Sequence, residues 1–235
     1  MSTAPSPGPV PVPGTAGPIR VVVAEDHPAV RSGLVALLSS APDVEVVAEA
    51  ADGPAALAAA REHRPDVVLT DVRMPGATGI EVTPQLRQTG ASVLVISGFD
   101  LDEFVLGALA AGADGYLVKS EEPAAILAAV RAVHRGDAVL SPAATRAIVA
   151  ALREPAAGPA QAAVGAPALA GPPPQFTPRE EEVLGAVARG LSNQQIAEEL
   201  FVEITTVKSH LTHAMRKLGL DSRVQAALWW HRHRG

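Results

Sequence analysis

The chain has 235 residues, 48% of them apolar and 3% aromatic, with a formal net charge of −6. It holds no Cys, which excludes disulfides and thiolate metal sites, and no run of about 18 apolar residues, so no membrane span is expected and the composition suits a cytoplasmic protein. Residues 1–174 carry 11 Lys/Arg against 18 Asp/Glu, whereas residues 175–235 carry 8 against 7 and four of the seven His, so two domains with different partners are expected.

Residues 1–18 are rich in Pro, Gly and Ser and lack both a basic start and an apolar stretch. They read as a disordered tail, not as a signal peptide. From Ile19 onward short Val- and Ile-rich runs alternate with helical patterns. The runs are Ile19–Ala24, Val44–Glu49, Val67–Thr70, Val93–Ile96 and Gly115–Val118. The helices predicted between and after them cover Ala29–Ser39, Pro54–His63, Gly79–Gln88, Leu101–Ala111 and Pro123–Arg135, with Gly53, Gly112 and Gly136 where helices start or stop. Five βα units over 19–136 predict a doubly wound α/β domain with a parallel sheet. Pro84 falls inside the third helix, where it costs about 3 kcal/mol unless the helix starts late and puts it in the first turn.

In such a sheet ligands bind outside the carboxyl ends of the strands. Four of the five runs are followed there by polar residues: Glu25-Asp26, Asp71, Ser97 and Lys119. Taken singly, an acidic pair or an Asp after a strand is usually a cap, a Lys is surface and a Tyr is packing. Their joint occurrence at four strand ends is what carries meaning. Three carboxylates at one crevice need a cation among them, and oxygen donors alone suit Mg²⁺. Asp71 could then attack phosphorus as a nucleophile, Mg²⁺ and Lys119 neutralising the transferred group. The Ser97 hydroxyl could donate to a phosphoryl oxygen and move inward, with Tyr116 rotating into the vacated space.

These segments, Glu25-Asp26, Asp71-Val-Arg-Met-Pro-Gly, Ser97-Gly-Phe-Asp and Gly-Tyr116-Leu-Val-Lys119-Ser, resemble the receiver domain of two-component response regulators over residues 19–136. The resemblance implies a (βα)5 flavodoxin-like fold with Asp71 as phosphoacceptor. It implies Mg²⁺ at Glu25, Asp26, Asp71 and the backbone carbonyl of Arg73, a switch pair in Ser97 and Tyr116, and Lys119 as the phosphate-sensing lysine.

Residues 137–174 contain one possible short helix, Pro142–Leu152, and then an Ala/Pro/Gly-rich stretch, 153–175, that cannot bury enough apolar surface to fold and reads as a linker. Fully extended, at ~3.1 Å per residue, that stretch would span up to ~70 Å. Residues 175–235 carry four helical signals. Thr177-Pro178-Arg179-Glu180 and Ser192-Asn193-Gln194-Gln195 are capping boxes, Thr205 or Thr206 opens a helix stopped at Gly219, and Asp221 or Ser222 opens the last, Arg223–His231. In the third helix Val207, Leu211, Ala214 (or Met215) and Leu218 recur at core spacing, which leaves Lys208, Ser209, Thr212 and Arg216 on the opposite face. A second short helix, a tight turn and a cationic third helix suggest a helix-turn-helix. With a net charge of only +1, a protein-binding bundle is the competing reading, and the five acids Glu180, Glu181, Glu182, Glu198 and Glu199 must lie off any DNA face.

Thr-Pro-Arg-Glu-x-Glu-Val-Leu, Gly190-Leu-Ser-Asn-x-x-Ile-Ala-Glu-x-Leu and Thr206-Val-Lys208-Ser-His are similar to the LuxR-type helix-turn-helix. With the receiver, they identify the chain as resembling NarL/FixJ response regulators. That resemblance implies a recognition helix over 205–217, with Thr205, Thr206, Lys208, Ser209, Thr212 and Arg216 as DNA contacts. It also implies a last helix that pairs two DNA-binding domains into a homodimer, and a sensor histidine kinase as phosphodonor. Of the adjacent Trp229 and Trp230, one ring is expected to close the core and the other to lie at the dimer contact. Two further function classes stand beside this one: a DNA-binding regulator that ignores phosphorylation, and a phosphohydrolase with an Asp nucleophile. The latter needs an acid/base carboxylate two residues after Asp71, where Arg73 stands.

Overall fold

The computed structural model describes residues 17–98, 102–142, 144–146, 148 and 174–234. The tail before residue 17 and residues 153–173 of the expected linker lie outside them. Of the short helix expected over 142–152, residues 142, 144–146 and 148 are described and are helical.

Strands β1 (Ile19–Ala24), β2 (Val44–Ala50), β3 (Val67–Asp71), β4 (Ser92–Ser97) and β5 (Gly115–Val118) alternate with helices α1 (Pro28–Ser39), α2 (Gly53–His63), α3 (Gly79–Gln88), α4 (Asp102–Ala110) and α5 (Pro123–Arg135). The sheet is parallel throughout, in the order β2-β1-β3-β4-β5-β6. Strand periodicity divides its side chains between two cores. Val21, Val23, Val67, Leu69, Leu94 and Ile96 pack with α1 and α5. Val22, Val68, Val93 and Val95 pack with α2, α3 and α4. All ten are fully buried, and burial stabilises each by about 1.5–3 kcal/mol, so a sheet this poor in aromatics is still held firmly. The strand order reverses at β1 and β3, which opens a crevice beyond their carboxyl ends.

One detail of this domain differs from expectation, and one open alternative is settled. A sixth strand, β6 (Val139–Leu140), lies in the stretch read as connector and pairs with β5. Two residues are too short to register as a periodic run. Pro84 is the sixth residue of α3, not in its first turn, because Thr78 and Glu81 form a capping box that fixes the helix start at Gly79. The helix continues past the missing amide with Val82, Thr83 and Leu86 buried.

The carboxyl-terminal part is all helical: α6 (Pro178–Ala188), α7 (Asn193–Leu200), α8 (Ile204–Leu218) and α9 (Arg223–His233). Capping boxes open α6 at Thr177, α7 at Ser192 and α9 at Ser222. The start of α8 corrects the sequence reading. It begins at Ile204 behind Glu203, whose side chain makes no cap, so a search for a Ser or Thr cap overshoots to Thr205 or Thr206. Val207, Leu211, Ala214 and Leu218 are buried against α6, α7 and α9, while Met215 is only partly so. Trp229 closes this core edge-on to Phe176 and stacked on His233, with ring centroids 5.7 and 4.7 Å away. Trp230 packs over Gly185.

The two parts touch. Val224 and Leu228 of α9 join the core cluster that contains Val105, Ala108 and Leu109 of α4. Gln225 works at both ends: Oε1 accepts from the Asp221 and Ser222 amides at 2.8 and 3.2 Å, capping α9, while Nε2 donates to the Leu109 and Ala110 carbonyls at 3.2 and 2.8 Å, closing the end of α4. Arg87 donates to the Asp221 carbonyl (2.7 Å), and the Asn193 amide donates to Asp137 (2.9 Å). Such close approach requires glycine at the ends of α4 and α5. A Cβ on Gly112 or Gly136 would stand 2.9 Å from Asp221 or Asn193, and both glycines also have positive φ, +96 and +83°.

Candidate phosphoryl-acceptor site and DNA-reading face

The strand ends gather the predicted side chains by register. Asp71 ends β3 beside Ile96 of β4, and Ser97 ends β4 beside Val118, one residue before Lys119. The Lys119 amide donates to the Ser97 carbonyl at 2.6 Å. Lys119 Nζ then reaches across the crevice to Asp71 Oδ2 at 2.9 Å and Glu25 Oε2 at 2.6 Å. The second Asp71 oxygen, Oδ1, accepts the Val72 amide at 2.7 Å. Asp71 is 6% exposed and Glu25 0%.

A fully buried carboxylate is tolerated only when paired. Burial pushes the Glu25 carboxyl above its usual range, as does the like charge of Asp71, and Lys119 opposes both. Burial also works against the Lys119 ammonium, but the hydrogen bonds and charges of Asp71 and Glu25 outweigh it and raise Lys119. The Lys119 ammonium is thus held between the two carboxylates, 2.6 Å from Glu25 Oε2. Such a donor set suits a second, harder cation. Asp26 completes it from a half-buried position. Desolvation pushes its carboxyl up, but the His27 hydrogen bond at 3.0 Å together with the charges of His27 and Lys119 outweighs this and holds it low. Ligand atoms of Glu25, Asp26 and His27 lie within 4.8 Å of one another.

The remaining predicted residues surround this centre. Arg73, two residues after Asp71, stacks its guanidinium 5.1 Å from the centre of the Phe104 ring on α4. Ser97 is buried beside Lys119. Tyr116 is fully buried in the core cluster that α4 also lines, and its carbonyl accepts from the Ser141 amide just after β6.

Several residues of this neighbourhood escape sequence reasoning. Arg31 donates to the Glu25 carbonyl at 2.6 Å, and its place one turn into α1 was the available signal. A Cβ on Gly79 would meet the Asp71 carbonyl oxygen at 2.0 Å, so glycine alone lets α3 start directly behind β3. Gln225 is legible in sequence only as half of a capping box.

On α8, Thr205, Lys208, Ser209, Thr212 and Arg216 are exposed and Thr206 is half-buried. The five acids of α6 and α7 are each engaged by a neighbouring side chain. Glu180 pairs with Lys217, Glu181 with Arg234, Glu182 with Arg179 and Glu199 with Arg189, while Glu198 accepts from Gln194. Thr212 and Arg216 face Pro84 and Arg87 of α3 across a cleft of about 460 Å³.

Residues 21–131 match the family described as Response regulator receiver domain, and residues 174–230 match Bacterial regulatory proteins, luxR family. The chain is 39% identical over 219 residues to the nitrate/nitrite response regulator protein NarL of Escherichia coli (strain K12), a match covering 92% of this chain and 97% of that protein. It is 36% identical over 213 residues to the DNA-binding transcriptional activator DevR/DosR of Mycobacterium tuberculosis (strain ATCC 25618 / H37Rv), covering 90% and 93%. A solved two-component response regulator of the LuxR family from Aurantimonas sp. SI85-9A1 matches 59% of this chain and all of that one, at 37% identity and a TM-score of 0.55. No helix among the described residues is long and apolar enough to cross a membrane.

Proposed function

Because the chain belongs to the response regulators that join a receiver domain to a LuxR-type DNA-binding domain, we propose that a partner sensor histidine kinase phosphorylates Asp71 and that the modified protein binds double-stranded DNA as a homodimer. The observation that carries this reading is Lys119 Nζ, which bridges Glu25 and Asp71 at 2.6 and 2.9 Å where the strand order reverses.

An Asp71 carboxylate oxygen attacks phosphorus. The bond from phosphorus to the kinase imidazole nitrogen breaks, and that nitrogen takes up a proton. The oxygen donors fit Mg²⁺, which Glu25, Asp26, Asp71 and the Arg73 carbonyl would hold and which, when bound, neutralises charge on the transferring group. Lys119, already shared by two carboxylates, turns to a phosphoryl oxygen. The Ser97 hydroxyl donates to another. Two residues after Asp71, Arg73 offers no acid/base carboxylate, which disfavours turnover as a hydrolase.

The bias then passes to α4. Tyr116 shares its core with α4, and the end of α4 is held by Gln225 of the DNA-binding domain. Charge arriving at Asp71 weakens that hold and frees α8. Lys208 and Arg216 then contact phosphates, Thr205, Thr206, Ser209 and Thr212 reach base edges, and α9 pairs two copies over half-sites about 10 bp apart.

The test is labelling by acetyl phosphate carrying ³²P. Wild type is expected to label only with Mg²⁺, and Asp71→Asn not at all; label persisting on Asp71→Asn refutes the assignment.

A further inference from the structure

Neither phosphoryl transfer nor DNA reading uses Arg223. It opens α9 at the seam between the two domains and is 7% exposed. Its guanidinium donates to Asn193 Oδ1 at 2.7 Å, to the Gly136 carbonyl at 3.4 Å and to the Leu191 carbonyl. All three acceptors are neutral, and among the described residues Arg223 forms no ion pair. A buried cation is costly unless a counter-charge meets it. Burial accordingly pulls the guanidinium below its ordinary pKa, with the charge of Asp137 opposing. Yet Asp137 is engaged elsewhere: it accepts from the Asn193 amide at 2.9 Å and pairs with Arg135 at 3.4 Å. Three bonds leave two of the five N–H donors of Arg223 without a partner among the described residues.

Arg223 lines a cavity of about 260 Å³ between the domains. The β6 side supplies Asp137 and Leu140, and the DNA-binding domain supplies Val187, Leu191, Val224 and Ala227. Arg223 is the one cation among the described lining residues, and no aromatic ring lies among them. Mostly apolar walls with a few fixed polar groups are the usual form of a small-molecule site, and this cavity falls just under the ~300–1,000 Å³ of sites for drug-sized ligands. One guanidinium matches one negative charge, and Asp137 on the same wall disfavours a second. A phosphate, with its second charge, fits worse than a carboxylate. An aliphatic chain behind the carboxylate covers the walls.

We propose that this cavity binds a small aliphatic monocarboxylate, its head group on the unpartnered donors of Arg223 and its chain along the apolar walls, and that the ligand holds the two domains together. The walls come from both domains, so the site exists only while they are in contact. A ligand that binds only that arrangement draws the population toward it and away from the one that reads DNA. The binding site stands on the cavity alone; its effect on DNA rests on the DNA-binding reading above.

The test is calorimetric titration of octanoate into the full-length unphosphorylated protein, beside octanol, which lacks the charge, and acetate, which lacks the chain. Octanoate is expected to bind one equivalent, and octanol and acetate at least tenfold more weakly. Gln195 also lines the cavity, and its Oε1 accepts from the Ser192 amide at 2.8 Å. Gln195→Glu therefore keeps the capping box of α7 while setting a carboxylate on the cavity wall. It is expected to weaken octanoate at least tenfold, as is Arg223→Gln; should Arg223→Gln not fold, Gln195→Glu decides alone. With octanoate at ten times its Kd, the Kd of unphosphorylated wild type for a DNA site selected from a random pool is expected to rise about tenfold. Octanol binding as tightly as octanoate would overturn the proposal, since the cavity would then be an apolar void and no anion site. So would an absence of octanoate binding, unchanged affinity in a folded Gln195→Glu, or octanoate binding that leaves the DNA Kd within twofold. Failure of the phosphorylated wild type to select any DNA site would instead refute the DNA-binding reading, and the titration would then decide the site by itself.

Discussion

Replacing Gln225 by Glu tests whether the contact between α4 and α9 restrains the DNA-reading helix. The substitution is nearly isosteric. It keeps Oε1, which accepts from Asp221 and Ser222 and starts α9, but it puts an acceptor where Nε2 donates to Leu109 and Ala110 at 3.2 and 2.8 Å. Each lost hydrogen bond is worth about 1 kcal/mol net. Two lost bonds shift the balance between closed and open arrangements by about 2 kcal/mol, roughly 30-fold at 1.4 kcal/mol per decade. When only a fraction of molecules is competent, the apparent Kd scales inversely with that fraction. Unphosphorylated Gln225→Glu should therefore bind a selected DNA site about 30-fold more tightly than unphosphorylated wild type, up to the ceiling set by the phosphorylated protein. Fluorescence anisotropy of labelled DNA measures this at fixed salt. The melting of the isolated DNA-binding domain should be unchanged, since the cap survives. An affinity within twofold of wild type, with melting preserved, would refute the restraint.

Other expectations follow from single residues. Lys208→Ala should weaken binding to all sequences alike and lower the slope of log K against log salt by about one phosphate contact; an unchanged slope removes Lys208 from the backbone contacts. Gly79→Ala must push a methyl into the Asp71 carbonyl, 2.0 Å away, and should cost about 3 kcal/mol in urea unfolding while slowing labelling of Asp71. Full stability with normal labelling would contradict that geometry. Asp114 is buried beside Arg87, and burial pushes its carboxyl up to about 6, with Arg87 and the Val93 amide opposing. Because the folded state holds this proton more tightly than the unfolded chain, the stabilisation is complete below about pH 4 and is lost as pH rises through about 6. Asp114→Asn should remove that component, so the stability difference between wild type and variant changes by about 3 kcal/mol between pH 4 and 7. A constant difference across that range would contradict the raised carboxyl.

The sequence is legible where a periodic signal is long or a chemical type is forced. Short continuous runs of Val and Ile announce β1, β3 and β4, and the polar residues after them announce the crevice, because a parallel sheet brings its strand ends together. Capping boxes announce α6 and α7, and Asp221 or Ser222 announces α9. What stays hidden depends on tertiary contact. β6 has two residues and is defined by its partner strand. The start of α8 lacks a capping side chain. Gln225 shows its capping half in sequence, whereas its grip on α4 exists only because Val224 and Leu228 bring α9 alongside. Gly79 reads as an ordinary helix start, and the 2.0 Å approach behind it needs coordinates.

Aromatic scarcity gives this protein an intrinsic spectroscopic address for each half. Its two indoles, Trp229 and Trp230, both sit on α9, and its one phenol, Tyr116, is sealed in the receiver core that α4 shares. Excitation at the red edge therefore reports the DNA-reading half alone. A difference spectrum against Tyr116→Phe isolates the single phenol from the overlapping indoles and follows the receiver half without labels.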